Sequence, residues 1–185
     1  IYDARTQTAD FNFATANGLY CAPQTVNFTQ NCSPAPESFI WNFGNGLSGA
    51  NATENITYIT PGTYTVKLTA IYQNIAVSSS KTIIINPSPA ISLTADKNYL
   101  CQPGTVVFTA TGSAFIQNYE WDFGDGSPVT TTGSNSINHV YATYNSFTAK
   151  VKGITVNGCT AIANYVVNVT KFPASGTVVP SSGCS

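Results

Sequence analysis

Asp122, Asp125 and His139 are the side chains whose types and spacing could do chemistry. The two carboxylates of Asp122-Phe-Gly-Asp125 could form an acid/base pair or offer loop oxygens to calcium. His139 is the only histidine in the sequence, so a catalytic triad or a His-bearing metal site would have to use it. The same stretch occurs twice, however. Trp121-Asp122-Phe123-Gly124-Asp125-Gly126 follows, eighty residues on, Trp41-Asn42-Phe43-Gly44-Asn45-Gly46. The earlier copy holds a neutral amide at both acidic positions. A role that survives amidation is a hydrogen-bonding role, so Asp122 and Asp125 read as turn caps. No Gly-x-Ser-x-Gly elbow or glycine-rich phosphate loop is present. The expectation is no catalytic residue, no metal and no cofactor.

The elements that position this motif repeat with it. Cys21, Pro23, Thr25, Val26, Phe28 and Thr29 return as Cys101, Pro103, Thr105, Val106, Phe108 and Thr109. Self-similarity at a fixed period marks an array of structural units. Between the third and sixth strands the frame slips by three residues, since Tyr58, Tyr64 and Lys67 match Tyr141, Phe147 and Lys150. The insertion falls around Ser127–Ser134, in a loop, where added length costs little.

Segments such as Thr63–Thr69 and Lys81–Ile85 are rich in β-branched and aromatic residues, alternate with period two, and are punctuated by Gly, Pro, Asn and Ser. The prediction is all-β. Seven strands per repeat are placed near 10–15, 25–30, 38–43, 50–54, 55–58, 63–72 and 77–85. The second set lies near 90–95, 105–111, 117–123, 129–132, 136–140, 146–156 and 161–169. Seven short strands with frequent turns predict an immunoglobulin-like sandwich, so the chain reads as two such sandwiches end to end. Asn86-Pro-Ser-Pro89 is the boundary, because paired prolines stop a strand and stiffen a linker. The domains are 1–86 and 87–171, and 172–185 reads as the start of a third, truncated repeat. Trp41 and Trp121, with Phe43 and Phe123, alternate toward the core. Gly44, Gly46, Gly124 and Gly126 serve a tight turn that requires positive φ.

Composition narrows the function classes. Only 8% of residues are charged and the net charge is −1, which leaves no footprint for nucleic acid and no polybasic membrane anchor. No apolar run reaches the ~20 residues of a membrane span. The chain begins Ile1-Tyr2-Asp3 with no signal-peptide pattern, and reads as an internal piece of a longer exported protein. Five Asn-x-Ser/Thr triplets, at Asn27, Asn31, Asn51, Asn55 and Asn168, would accept glycans only in a eukaryotic secretory route. The ten Tyr, ten Phe and two Trp mostly alternate with polar residues, which points to core packing before a sugar platform.

The Trp-x-Phe-Gly-x-Gly motif, a Tyr some fifteen residues on, and Pro61-Gly-Thr-Tyr-Thr-Val-Lys-Leu68 resemble the PKD (polycystic kidney disease) domain family. The second copy matches the family motif residue for residue, and His139-Val-Tyr141 matches its His-x-Tyr element, which implies a structural place for His139 and Tyr141. The first copy has Asn42 and Asn45 for the acidic residues and lacks the His. Repeat style also resembles PKD-type arrays in large secreted surface proteins of Bacteroidetes, including gliding-motility adhesins exported by type IX secretion. This resemblance implies a non-catalytic extracellular stalk, spacer or adhesive module. Its partners would be neighbouring repeats and surface protein or carbohydrate. Accessory modules of a secreted hydrolase, and a surface-layer or fibre subunit, are the alternatives.

Five cysteines without a CxxC or Cys/His cluster argue for an oxidising compartment. Cys101–Cys159 lies within the second repeat, but in a sandwich of this topology the two turns sit at opposite ends, on the order of 20 Å apart. A disulfide needs Cα atoms within ~7 Å. Cys21–Cys159, across the domain junction, is therefore preferred, with Cys101 and Cys184 left to later repeats and Cys32 facing whatever precedes it. A fully reduced chain stays open as a further alternative.

Overall fold

The structure, a computed structural model, describes residues 7–73 and 75–171. It divides between Ser88 and Pro89 into two compact units. The first contains β1 (Phe11–Ala14), β2 (Gln24–Gln30), β3 (Ser38–Asn42), β4 (Ser48–Gly49), β5 (Thr53–Tyr58), β6 (Gly62–Tyr72) and β7 (Ile75–Ile85). The second contains β8 (Ile91–Ala95), β9 (Tyr99–Cys101), β10 (Gly104–Gly112), β11 (Ile116–Asp122), β12 (Thr130–Thr132), β13 (Ser136–Tyr141), β14 (Asn145–Thr155) and β15 (Thr160–Thr170).

Each unit is a sandwich of two sheets. In the first, β1-β2-β5 faces β4-β3-β6-β7; in the second, β13-β10-β8 faces β12-β11-β14-β15-β9. This is the immunoglobulin-like arrangement, and it follows from period two. Along β6, Val66, Leu68, Ala70 and Tyr72 are buried while Lys67 points out. Along β14, Phe147, Ala149, Val151 and Thr155 do the same. A one-residue slip would turn each apolar set to solvent, so one buried face specifies the register.

Both tryptophans are core residues, Trp41 at 0% and Trp121 at 1% exposure. Trp41 packs with Phe11, Phe28 and Phe43 at ring separations of 5.2, 6.0 and 5.6 Å. Val66 and Leu68 belong to the same buried cluster. In the second unit Phe108, Phe123, Val151 and Tyr141 surround the equivalent position.

Two details depart from the reading of the sequence. The fourth strand of the first unit is Ser48–Gly49, ahead of the expected 50–54, because Trp41 pairs with Gly49 and the chain then crosses directly to β5. β9 was not expected at all. It is only three residues long, too short for alternation to register, and it pairs in parallel with Asn168–Thr170 at the far end of the chain. The first unit reduces this to a single parallel bridge between Cys21 and Asn86. The expected third repeat, at 172–185, lies outside the described residues.

Candidate functional site

The strand-turn motif gathers nearly every residue singled out by chemistry. At the end of β3, Gly44 N–H donates to Asn42 Oδ1 at 2.9 Å and Leu47 N–H donates to Asn45 Oδ1 at 3.1 Å. At the end of β11, Gly124 N–H donates to Asp122 Oδ1 at 3.0 Å and Ser127 N–H to Asp125 Oδ1 at 3.1 Å. An amide oxygen and a carboxylate oxygen thus do the same work at matching positions, each capping a backbone N–H two residues on. Gly44, Gly46, Gly124 and Gly126 all have φ between 73° and 88°. Gly44 and Gly124 also press on the next strand. A Cβ would sit 2.7 Å from Thr65 O at the first and 2.5 Å from Thr148 O at the second.

A buried tyrosine ties each turn to the core. Tyr58 Oη donates to Phe43 O at 2.9 Å, and Tyr141 Oη donates to Phe123 O at 3.0 Å. Desolvation, with a smaller push from Tyr64, raises the Tyr58 phenol to about 12. Burial also raises the Tyr141 phenol, reinforced by the negative charges of Asp125 and Asp122. Both phenols stay neutral donors, as the carbonyl contacts require.

The second turn carries charge that the first lacks. His139 lies flat on Phe123 with rings 3.8 Å apart, meets Tyr141 edge-on at 4.7 Å, and donates from Nε2 to Asp125 Oδ2 at 2.7 Å. Ser127 Oγ donates to the same carboxylate at 2.6 Å. By sequence frame the first unit places Ile56 and Asn45 at these positions. Both carboxylate oxygens of Asp125 are thus engaged by turn and ring, and His139 is held between two aromatic rings. This arrangement locks a turn; it does not present a nucleophile with a base. Among the described residues no group of three or more His, Cys, Asp or Glu is placed to hold a metal.

A family model described as PKD domain matches residues 10–85 and 90–162, most of each unit. The chain belongs to the PKD domain family. Human polycystin-1 is 32% identical over 116 residues, a match that spans 62% of this chain but only 2% of polycystin-1. Among solved structures, the fibronectin(III)-like modules of Clostridium thermocellum CbhA superpose with a TM-score of 0.48 at 15% identity, covering 86% of this chain and 95% of that one. Murine CEACAM1b gives a TM-score of 0.47 at 12% identity, covering 88% and 100%. PKD and immunoglobulin-like domains are generally non-catalytic modules.

Several residues of the PKD units were not singled out from the sequence. Glu54 Oε1 accepts from Ala50 N, Asn51 N and Asn51 Nδ2 and so shapes the crossover after β4. Lys81 sits at an inward position of β7, where Val77, Ser79, Ile83 and Ile85 share its parity. Its ammonium pairs with Asp10 Oδ1 at 2.8 Å, donates to Phe11 O, and lies 5.0 Å from the centre of the Phe11 ring. The hydrogen bond from Lys81 holds the Asp10 carboxyl below the usual carboxylate range. A charge at an inward position of an alternating strand was the signal available for this clip between β7 and the β1 edge.

The cysteines fall into two states. Cys21, Cys101 and Cys159 are disulfide-bonded, whereas Cys32 is a half-buried free thiol. Cys184 lies outside the described residues. Cys101 and Cys159 occupy opposite ends of β15, because Cys101 pairs with Thr170 and Cys159 precedes Thr160. Eleven residues of strand place them on the order of 30 Å apart. The Cys101–Cys159 alternative is therefore excluded by the length of β15.

Charge at Asp125 makes the second PKD unit sensitive to acid. Burial alone would raise this carboxyl, but hydrogen bonds from Ser127 and His139 outweigh it and leave it below its ordinary value. A lowered folded-state value contributes stability that is present above the ordinary aspartate range of ~3.9 and is lost as pH falls through the folded value. Asp125→Asn, which installs the first unit's residue, should cost about 1–2 kcal/mol at neutral pH, since the cap survives and the charge-assisted bond does not. That difference should vanish at low pH. Denaturation of both proteins across pH 2–7 checks it, and a pH-independent difference would contradict the assignment.

Proposed function

We propose that this chain is a non-catalytic, load-bearing stretch of a secreted cell-surface protein, serving as a stalk or spacer that presents a binding tip. The observation that carries the reading is the parallel pairing of an early segment with the final one in each unit, a strand pair in the second and a single bridge in the first. In the second unit β9 runs beside the end of β15, framed by Asn168 N–H to Asn98 O at 2.8 Å and Gln102 N–H to Thr170 O at 3.0 Å. In the first, Ala22 N–H donates to Asn86 O at 2.9 Å and Asn86 N–H to Tyr20 O at 2.7 Å. Pulling such a unit by its two ends slides the paired strands along each other. All their hydrogen bonds then bear the load together and do not open one by one.

The extracellular setting is supported by the disulfides, which persist in oxidising compartments. For the pairing we propose Cys21–Cys159. Cys101 is too far from Cys159, and Cys32 is free. Cys21 lies beside Asn86, at the end of its unit where the chain leaves. Cys159 closes the β14–β15 turn of its own unit. The Bacteroidetes surface-array setting belongs to the same proposal and rests on repeat style.

Constant-velocity pulling of the tandem, with and without reductant, tests the mechanical role. Under reductant the expected record has two high-force events, the weaker from the first unit with its single parallel bridge. With Cys21–Cys159 closed, Asn86 and Cys101 lie inside the bridged loop and neither pairing bears load. Extension under reductant at forces no higher than those that unzip a hairpin would refute it. Non-reducing peptide mapping tests the staple separately: a Cys21–Cys159 peptide is expected, and Cys159 bonded to any other cysteine overturns it.

A further inference from the structure

The internal repeat supplies two matched edge strands, and only one of them is guarded. Lys67 of β6 pairs with Ser80 of β7, and Lys150 of β14 pairs with Asn164 of β15. Ser78, Ser80, Lys81 and Thr82 therefore correspond to Ile162, Asn164, Tyr165 and Val166. Sheet edges are templates for pairing with other chains, and native proteins blunt them with charge, inward-pointing charge included, or with proline. In β7 that guard is Lys81, between polar outward neighbours and paired with Asp10. The eleven residues of β15 contain neither a charge nor a proline. Tyr165 takes the guard position and packs against the core, while Ile162 and Val166 face outward at 62% and 49% exposure.

The backbone of β15 is aimed the same way. β9 pairs only with Asn168–Thr170, and among the described residues no strand lies beside 160–167. At the covered end Asn168 N–H donates to Asn98 O, and Thr170 O accepts from Gln102 N–H. Even-numbered residues of β15 thus turn their backbone groups toward this edge. With period two, Ile162, Asn164 and Val166 do so as well.

We propose that a second copy of this chain docks on the open edge, β15 against β15, antiparallel and centred on Asn164. In that register Ile162 of each copy lies opposite Val166 of the other, and Asn164 lies opposite itself. Such cross-strand pairs are what stabilise a sheet. The ladder spans 161–167, since β9 bounds it at Asn168 and β15 itself begins at Thr160. A two-fold axis sets a strand's charges against their own copies, so an uncharged strand meets its like without repulsion. The same joint at β7 would hold two Lys81 side chains and pair Ser78 with Thr82, with no apolar contact to gain.

Sedimentation velocity on the intact tandem over a concentration series tests the joint, and a monomer–dimer equilibrium is expected. Ile162→Lys and Val166→Lys, both at exposed positions, should each abolish the dimer, because a charge then enters the ladder on both sides of the axis. Thr82→Lys, the matching change in the first unit, should leave it unaltered. Circular dichroism melting establishes that each variant is folded. Asn164→Cys reads the register. Hydrogen-bonded antiparallel partners have Cα atoms about 5.5 Å apart, within the reach of a disulfide. Mild oxidation should therefore give a covalent dimer of Asn164→Cys and none of Ser80→Cys. A monomer at every concentration, a dimer that survives both lysine changes in β15, or cross-linking at Asn164 no greater than at Ser80 would each overturn the proposal.

Discussion

Gly124→Ala should destabilise the second PKD unit by about 2–5 kcal/mol, and Gly44→Ala should do the same to the first. Two costs combine. Both residues hold φ above +70°, where an L side chain costs about 1–2 kcal/mol. A Cβ would also stand 2.5 Å from Thr148 O or 2.7 Å from Thr65 O, backbone atoms fixed in central strands. Forcing an atom into packed structure adds about 1–3 kcal/mol. Gly126 and Gly46 provide the control. Their φ values are similar, at 85° and 88°, but nothing lies within 4 Å of an added Cβ. Alanine there should cost only the backbone strain, about 1–2 kcal/mol. Urea denaturation of the four variants separates the contributions. Equal losses at Gly124 and Gly126 would show that close approach to β14 plays no part.

Trp41→Ala carries the other large effect, about 3–5 kcal/mol, the usual range for truncating a buried large aromatic. Three aromatic neighbours and the Asn51 carbonyl lose their partner at once. Trp121→Ala should fall at the lower end of that range, because no protein acceptor is left stranded. Far-UV circular dichroism during denaturation measures both, and each variant keeps one tryptophan as a fluorescent reporter. A loss below about 1 kcal/mol at Trp41 would be incompatible with a core residue of this packing.

Much of this protein is legible in one dimension because local chemistry and the repeat agree. Alternation in Thr63–Thr69 dictates which face of β6 is buried, and the duplicated Trp-x-Phe-Gly-x-Gly marks the turn in both units. Replacement of Asp122 and Asp125 by Asn42 and Asn45 already argues for a capping role, and the matched bonds to Gly44, Leu47, Gly124 and Ser127 are consistent with it. These features depend on neighbours within a few residues, so the residue order contains them.

Features that depend on distant partners were not legible. β9 is three residues with no pattern of its own, and it exists because Asn168–Thr170 offers a free strand edge. The clip from Lys81 to Asp10 and Phe11 joins positions some seventy residues apart, and only the sandwich brings them together. The His139–Asp125 pair was visible as two residues of complementary type, but its bond required Phe123 to hold the imidazole flat. Residue order therefore determined the two all-β units, their cores and their turns, since period and turn chemistry act locally. Tertiary structure alone decided which edges close and which charges pair, since each depends on two segments meeting after the chain has folded.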